Sequence, residues 1–470
     1  MSQSSHQEDK SIQEEKLPQE GKAHQEEEEE EVGEREHRPI GHFHFRSVAF
    51  QILVVSATAF CTIGSFNALQ GLGGAGQESP YVANAATSLN FGLLGVVCLF
   101  GGPIVAILGP RWSLAIGTMG DPLFGAAVYC NTRYGTQWFL VFAAVLRGIA
   151  SGHFWCAEGS LIIGYPRAQH RGRSITTWVF FKELGGIVSS SIYLGLSAKD
   201  NKAGHFGYSV YYVTIAIMCA GLPIALLLSP TNKVRHADGT PLDTSSPAIK
   251  RGTWREEYAR LLRLLSRRDV ALILPFALYA YFYYSFAHTY NTRHFSVRGR
   301  SLVSLLTEIS SVLGSLLVAC FVDRRRQMRG IGLVTAFVLV ICAAFWAYFA
   351  WAALAPPAKR LDWSDPDFAR YAMSIVLVFL SQQSAQTYLY WVAAHLSDSL
   401  DDVFHLAGAV RGIESLGQCI AYGINASKTS PIVSVAMNLA LYAVGAVCLV
   451  VLLVDKSRAK QAGASSAASM

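Results

Sequence analysis

The hydrophobic positions of the chain fall into blocks separated by short polar stretches. Each block is roughly 20 residues long, which is enough for a helix to cross a hydrocarbon core of about 30 Å. We therefore predict about 12 membrane spans, at approximately 47–70, 84–108, 112–130, 137–165, 173–197, 208–229, 270–290, 300–322, 330–354, 371–396, 403–424 and 430–454.

A long polar segment, 230–269, separates the sixth span from the seventh. This pattern predicts an all-α, polytopic membrane protein in which two six-helix halves, 47–229 and 270–455, flank a central loop, as in internally repeated carriers. Residues 1–46 include six consecutive glutamates from Glu26 to Glu31. Because such a composition buries little apolar surface, we predict a disordered acidic tail there, and a second disordered tail over 456–470.

The placement of lysine and arginine predicts the orientation. If the amino terminus is cytoplasmic, the cytoplasmic loops hold about twice as many basic residues as the outer loops. Both termini are therefore predicted to be cytoplasmic, in the plasma membrane or an internal membrane. Asn425-Ala426-Ser427 matches the glycosylation pattern on the predicted outer side, but we expect it to be unused because it lies so close to the bilayer.

Composition agrees with a membrane protein and argues against other classes. Hydrophobic residues make up 51% of the chain and charged residues only 15%, whereas a soluble domain carries about 25% charged residues. The net charge of +6 arises beside the spans, so it does not indicate a nucleic-acid partner. The nine cysteines form no C-x-x-C pair, and no nucleotide-binding, hydrolase or metalloprotease motif is present, so we predict no metal site, no cofactor and no enzymatic activity.

Several ionisable residues lie inside the predicted spans. A Lys, Arg or Asp at a helix centre costs about 2.5–3.5 kcal/mol on insertion scales, so such residues should face the bundle interior or a wet cavity. The fourth span places Arg147, Ser151, Trp155 and Glu158 on one helical face. Arg147 and Glu158 are about three turns apart, so each needs another partner or water.

Two further spans carry a basic residue with a glutamate. The fifth holds Lys182 and Glu183, and the eleventh holds Arg411 and Glu414, at equivalent positions of a six-plus-six repeat. Arg411 and Glu414 are three residues apart and could pair within one helix. Two interpretations remain: a polar pathway or substrate site near the midplane, or ion pairs that hold the helices together.

The first span ends in the glycine-rich run from Phe66 to Gln77. Glycine at this density favours an unwound helix end, and unwound backbone persists in a membrane only beside protein or a water-filled cavity. Asn67 and Gln70 are therefore candidate cavity amides, the alternative being an ordinary exit loop. In the tenth span, Tyr390 and Trp391 lie deep enough to line the same cavity.

These local patterns together resemble one family. The runs Phe66–Gln77, Gly152–Gly159, Arg298–Leu302, Tyr390-Trp391 and Arg411–Gly417 are similar to signatures of the Unc-ninety-three-like branch of the major facilitator superfamily, and closest to its fungal-type members. The resemblance covers residues 47–455 and implies the major facilitator fold. The family pattern usually has lysine and glutamine where this chain has Arg411 and Glu414, a change that favours proton coupling.

We therefore expect a secondary transporter that moves a small organic solute by alternating access, with a metabolite as cargo and export as direction by analogy. Glu158, Glu183 and Glu414 are the candidate proton carriers, and Arg147, Lys182 and Arg411 are the candidate counter-ions or anion contacts. Asn67, Trp155, Tyr390 and Trp391 would line the cavity. The alternative is a non-transporting regulatory or trafficking subunit of a channel or receptor, in which the buried charges pair off and leave no continuous cavity.

Overall fold

The computed structural model describes residues 41, 44–77, 80–100, 102–199, 204–242, 253–322, 328–396 and 400–468. Most of the predicted amino-terminal tail therefore lies outside the described residues. Within them the chain forms twelve long helices: α1 Val48–Gly71, α2 Pro80–Phe100, α3 Gly102–Tyr134, α4 Gln137–Gly164, α5 Arg171–Ser197, α6 Tyr208–Leu226, α7 Arg268–His294, α8 Val297–Val322, α9 Met328–Leu354, α10 Phe368–His395, α11 Leu400–Asn425 and α12 Pro431–Ala468.

The helices confirm the prediction of an all-α polytopic membrane protein. In the part of the chain that the structure describes, 9 helices are both long and apolar enough to cross a bilayer. Of the other three, α10 and α11 contain 28 and 26 residues, and α3 continues from Pro110 to Tyr134 after a break at Gly109, so each is also long enough to span. Their lower hydropathy reflects the polar residues they carry, of which Asp121, Gln382 and Glu414 are buried.

Several helices are interrupted. A π-helical turn occupies Phe60–Gly64 in α1 and another occupies Ser160–Gly164 in α4. The seventh helix consists of three pieces, Arg268–Ala271, Leu274–Ala280 and Tyr283–His294. The break before the last piece leaves Tyr281 with a non-helical backbone, φ −116° and ψ 7°. Such interruptions redirect side chains and are frequent at functional sites of membrane helices.

The predicted boundary between the second and third spans, near residues 108–112, falls at a backbone break at Gly109, where φ is 77° and ψ is 156°. Two other boundaries differ from the sequence prediction. The last helix continues to Ala468 through most of the predicted tail, because 456–468 is rich in alanine and lacks proline. The predicted central loop contains an amphipathic helix, Trp254–Leu265, started by a capping box of Thr253 and Glu256.

The two halves meet through equivalent helices. The second helix packs on the eleventh, and the fifth packs on the eighth. In a six-plus-six repeat, positions two and eight correspond, as do five and eleven, so the two contacts are repeats of one another. Small residues permit the close approach: a Cβ on Gly412 would lie 2.6 Å from Leu99 Cγ.

The start of the first helix and the end of the last helix lie on the same face of the bundle. The amide of Val48, the first residue of α1, donates to the carbonyl of Arg235 after α6 at 3.0 Å. Arg268 at the start of α7 pairs with Asp455 in α12 at 3.0 Å. These contacts place the start of α1, the segment after α6 and the polar end of α12 together, as an even number of spans requires.

The opposite face is closed around one arginine. Arg300 near the start of α8 is 1% exposed. Its guanidinium donates to the carbonyl oxygens of Leu72 at 2.6 Å and Gly73 at 2.6 Å, both after α1. It also donates to Gln77 at 3.1 Å and to Gly204 at 3.0 Å in the α5–α6 connection. A side chain of the second half therefore holds the backbone of the first.

The glycine-rich run explains why these carbonyls converge. Gly73, Gly74 and Gly76 all have positive φ, and Ala75 has φ 50°. This left-handed path favours glycine and turns successive carbonyls toward Arg300. The sequence prediction of an unwound helix end is thus met at 73–77, where the backbone contacts protein.

A second interaction that closes this face joins Arg298 to Asp362 in the α9–α10 loop through two hydrogen bonds. Asp362 also accepts from Ser296 Oγ at 2.6 Å. Arg298 holds the pKa of the Asp362 carboxyl below its usual range, so this pair stays ionised at neutral pH.

We predict that Arg300→Gln lowers the stability of the closed state by about 3 kcal/mol or more, since it removes a buried cation from four carbonyl acceptors. The melting temperature of the purified protein in detergent measures this loss. Arg360→Gln, at an exposed arginine of the same face, is the matched control and should melt like the wild type. Equal melting temperatures for the two variants would contradict the assignment of Arg300 as the main residue that closes this face.

Candidate functional site

A cavity of about 1480 Å³ lies between the two halves. Residues of α1 to α5 line one side, and residues of α7, α8, α10 and α11 line the other. The cavity reaches the face that holds the ends of the helical region, where Tyr258 and Leu261 of the amphipathic helix contribute to its wall. Among the described residues, the face closed by Arg300 contributes none to the lining, so in this part of the chain the cavity opens toward the other face. Most of the wall is apolar and aromatic.

The first charged centre of the cavity is Arg147 on α4. Its Nε donates to Asp121 Oδ1 of α3 at 2.8 Å, and Nη1 donates to Asn90 Oδ1 of α2 at 3.0 Å. The guanidinium also stands 3.2 Å from the ring centroid of Phe66. Gly120 allows this approach, because a Cβ there would lie 2.7 Å from Arg147 Cα. The pair thus joins three helices of the first half.

The second centre, on α11, is the predicted intrahelical pair. Arg411 Nη1 lies 3.2 Å from Glu414 Oε2, and Tyr390 of α10 donates to the same oxygen at 3.2 Å. The Arg411 guanidinium stands 4.2 Å from the ring centroid of Trp155 on α4. Arg411 therefore reaches across the cavity from the second half to the first.

The third centre is Lys182 and Glu183 on α5, whose Nζ and Oε1 atoms are 2.7 Å apart. Lys182 Nζ also lies 5.6 Å from the ring centroid of Trp178. Glu308 of α8 packs against Gly186, where a Cβ would collide with its carboxylate. Glu308 is therefore a further buried carboxylate beside the next turn of α5 from the Lys182–Glu183 pair.

Glu158 of α4 differs from the other carboxylates of the cavity. It lines the wall two residues before the π-helical turn of α4, and it is half-buried. Across the described residues it makes no hydrogen bond and no ion pair within 4 Å. The cations that act on it electrostatically are Lys182 and Arg411. Each of those cations already has its own glutamate.

The remaining predicted residues are divided between the cavity and the packing. Asn67, Trp155, Tyr390 and Trp391 line the cavity. Gln70 does not: it is buried and donates to Thr87 Oγ1 at 3.1 Å. Asn67 and Gln70 are three residues apart on α1. The rotation of α1 relative to its neighbours decides which of the two side chains reaches the cavity.

Asn425 is buried, and its amide donates to the Ala421 carbonyl at 2.9 Å. Its side-chain oxygen accepts from Ser434 Oγ at 3.1 Å. The side chain is thus engaged in packing at the end of α11.

The structure adds residues that the sequence analysis did not place in the site. Asp121 of α3 is the ion-pair partner of Arg147. Tyr281 faces the cavity because of the break in α7, and its hydroxyl donates to Gln386 Oε1 at 2.8 Å. The sequence feature that could have identified Asp121 is a carboxylate inside an apolar span. No sequence feature marked the break that turns Tyr281 inward.

Twelve helices in two equivalent halves, with a charged cavity between them, define a multi-pass membrane protein of transporter architecture. The sequence profile described as Major Facilitator Superfamily matches residues 48–424, and the chain belongs to this family. Relatives from Arabidopsis thaliana and Schizosaccharomyces pombe are named UNC93-like proteins.

Two relatives illustrate this placement. "Notoamide biosynthesis cluster protein O'" of Aspergillus versicolor is 33% identical over 407 residues, 85% of this chain and 87% of the relative. "UNC93-like protein 1" of Arabidopsis thaliana is 28% identical over 431 residues, 90% of this chain and 93% of the relative.

Solved transporter structures share the fold. The xylose transporter of E. coli, in a partially occluded inward-open conformation, aligns with a TM-score of 0.62 at 13% identity and covers 85% of this chain and 96% of the transporter. A nucleoside transporter aligns with a TM-score of 0.55 at 15% identity and covers 87% of this chain and 98% of the transporter. At these identities the likeness concerns the fold alone.

We predict strong coupling between Asp121 and Arg147. Asp121→Asn leaves a buried guanidinium without its counter-charge and should cost about 3–5 kcal/mol, whereas Asp121→Asn combined with Arg147→Gln should cost clearly less than the two single changes added together. Thermal unfolding of the four purified proteins measures the cycle.

Asp455→Asn is the control for this cycle, because Asp455 pairs with the largely exposed Arg268. Its effect should stay within about 1 kcal/mol. If the effects of the two single substitutions simply add, the Asp121–Arg147 ion pair does not stabilise the buried charge, and the prediction is wrong.

Proposed function

We propose that this protein is a secondary transporter of a small organic solute, that it works by alternating access, and that Glu158 carries the coupling proton. The observation that supports this most directly is Glu158 itself: a carboxylate in the wall of a central cavity, with no ion pair or hydrogen bond in the described part of the chain. A carboxylate free of a fixed partner can take up and release a proton without breaking a structural contact.

The cavity supports the alternating-access part of the proposal. Helices of both halves line it, and it opens toward one face while Arg300 closes the other. The bias of basic residues predicts that the open face is cytoplasmic. In the outward-facing state the halves would rotate so that the contacts of Arg300 break and the opposite end narrows.

The direction and the class of cargo rest on similarity. The Aspergillus relative is named as a protein of a biosynthesis cluster, which supports a metabolite as cargo and export as direction. A transporter that exchanges an outgoing solute for an incoming proton would use the same central carboxylate for both.

The alternative, a non-transporting regulatory subunit, makes a different demand on the structure. It requires buried charges that pair off and leave no continuous cavity. Arg147, Lys182 and Arg411 do pair, but the cavity between the halves and the unpaired Glu158 favour the transporter. We therefore retain transport as the proposal.

Solute flux into proteoliposomes tests the proposal. A metabolite panel is offered with and without a pH gradient, and we expect the gradient to drive accumulation of at least one member by the wild type. Glu158→Gln should abolish the dependence on the gradient while it preserves the fold, because Gln is close in shape and leaves no partner unpaired.

Asp455→Asn serves as the control for the loss of an acidic group, and it should transport like the wild type. If no panel member moves, or if Glu158→Gln keeps the full response to the gradient, the proposal is wrong and the regulatory alternative gains.

A further inference from the structure

The buried charged groups in and around the deep part of the cavity include more carboxylates than cations. Its three cations, Arg147, Lys182 and Arg411, lie within 2.8, 2.7 and 3.2 Å of Asp121, Glu183 and Glu414 respectively. Each cation is therefore neutralised by a glutamate or aspartate of its own. Glu158 in the wall, and Glu308 on α8 against Gly186 of α5, remain as surplus acidic groups among the described residues.

The cations are also held in place by other contacts, which leaves them little freedom to receive a ligand. Arg147 donates to Asn90 and stands over Phe66, and Arg411 stands over Trp155. An anionic solute would have to displace these partners and leave a buried carboxylate unpaired. That displacement is costly, because an uncompensated charge in a low-dielectric site costs several kcal/mol.

A cationic solute meets no such obstacle at Glu158. The carboxylate is accessible from the cavity and has no partner to lose. A protonated amine placed against it would form a charge-assisted hydrogen bond and reduce the local excess of negative charge. The neighbouring cations Lys182 and Arg411 oppose this, but each is already paired with its own glutamate.

The rest of the wall fits an apolar body. Phe66, Phe91, Trp155, Trp178 and Trp391 contribute aromatic surface. The volume of about 1480 Å³ exceeds the roughly 300–1,000 Å³ typical of sites for drug-sized ligands, so the cavity has room for a bulky, polycyclic solute. Burial of that apolar surface would supply most of the affinity, and the amine would supply orientation.

We propose that the solute is a bulky, largely apolar molecule with one protonated amine, and that this amine and the coupling proton compete for Glu158. The inference rests on the proposed transport function and adds the chemical class of the cargo. Charge balances in the exchange: release of one ammonium group from the carboxylate is matched by uptake of one proton, and no covalent bond of the solute forms or breaks.

The arginines at the mouth do not reverse this preference. Arg171 donates to the Ile163 carbonyl at 3.1 Å, and Arg173 is exposed. Charges at a hydrated opening are screened by water and salt far more than charges in the interior. They lower the rate of entry for a cation more than they change its affinity at Glu158.

Binding of three matched fluorescent probes tests the inference. Dansylcadaverine ends in an ammonium group, N-pentyl dansylamide in a methyl group, and dansyl-6-aminohexanoate in a carboxylate, while the apolar body stays the same. We expect wild-type protein in detergent to bind the cationic probe about ten-fold more tightly than the neutral one, the value of one charge-assisted contact of about 1.4 kcal/mol. The anionic probe should bind weakest, and the cationic preference should fall as the pH is lowered.

Glu158→Gln separates the contact from the fold. It should bring the cationic probe to within about two-fold of the neutral one, because only the charge contact is lost. Affinity for the neutral probe should stay unchanged, and this shows that the variant is folded. Asp455→Asn should match the wild type with all three probes.

Three outcomes overturn the inference: tighter binding of the anionic probe, equal binding of all three, or a cationic preference that survives in Glu158→Gln. If that variant does not fold, the wild type alone decides, since a cationic preference that is absent or does not respond to pH also overturns it. Proton-driven flux together with tighter binding of the anionic probe would contradict this inference but would still support the transport function. A cationic preference without flux would overturn the transport function and with it the description of the amine as cargo, and would leave only amine binding at Glu158.

Discussion

Burial of ionised side chains inside apolar helices is the constraint on which the rest of this structure depends. A guanidinium or carboxylate in hydrocarbon is tolerable only with a counter-charge or with water. Arg147, Lys182 and Arg411 each have a carboxylate partner, and each lies on a helix that turns this residue toward the same centre. The helices are thereby arranged around a shared interior, and their lipid-facing surfaces remain apolar.

The two ends of the cavity are built from different interactions. The central charges are held by ion pairs, whereas the closed face is held by a cation on backbone carbonyls at Leu72, Gly73, Gln77 and Gly204. Water can replace such carbonyl contacts when the face opens, because neither side is left with an unpaired charge of opposite sign. The molecule thus combines ion pairs at its centre with contacts between a cation and neutral carbonyls at its closed end, an arrangement that suits the proposed alternating access.

Glu158 shows how function can be separated from stability in such a bundle. Neutralising one member of the Arg147–Asp121 pair disturbs three helices at once. Neutralising Glu158 breaks no contact among the described residues. Under the proposed function this is the property that a proton carrier needs, because its charge must change repeatedly during a transport cycle.

The sequence by itself determined that the protein crosses the membrane about twelve times, that its halves are equivalent, and that charges in the fourth, fifth and eleventh spans face the interior. Hydrophobic block length and the cost of charge in lipid are local properties, so a linear reading captures them. The pairing of Arg411 with Glu414, one helical turn apart, followed from the same local geometry. Only the tertiary structure decided that Arg147 pairs with Asp121, that Gln70 belongs to the packing while Asn67 lines the cavity, and that a break in α7 brings in Tyr281. Those outcomes depend on how helices distant in the chain are rotated and spaced. Glycines such as Gly120 and Gly412 set that spacing because they allow close approach. No pattern along a single helix contains this information.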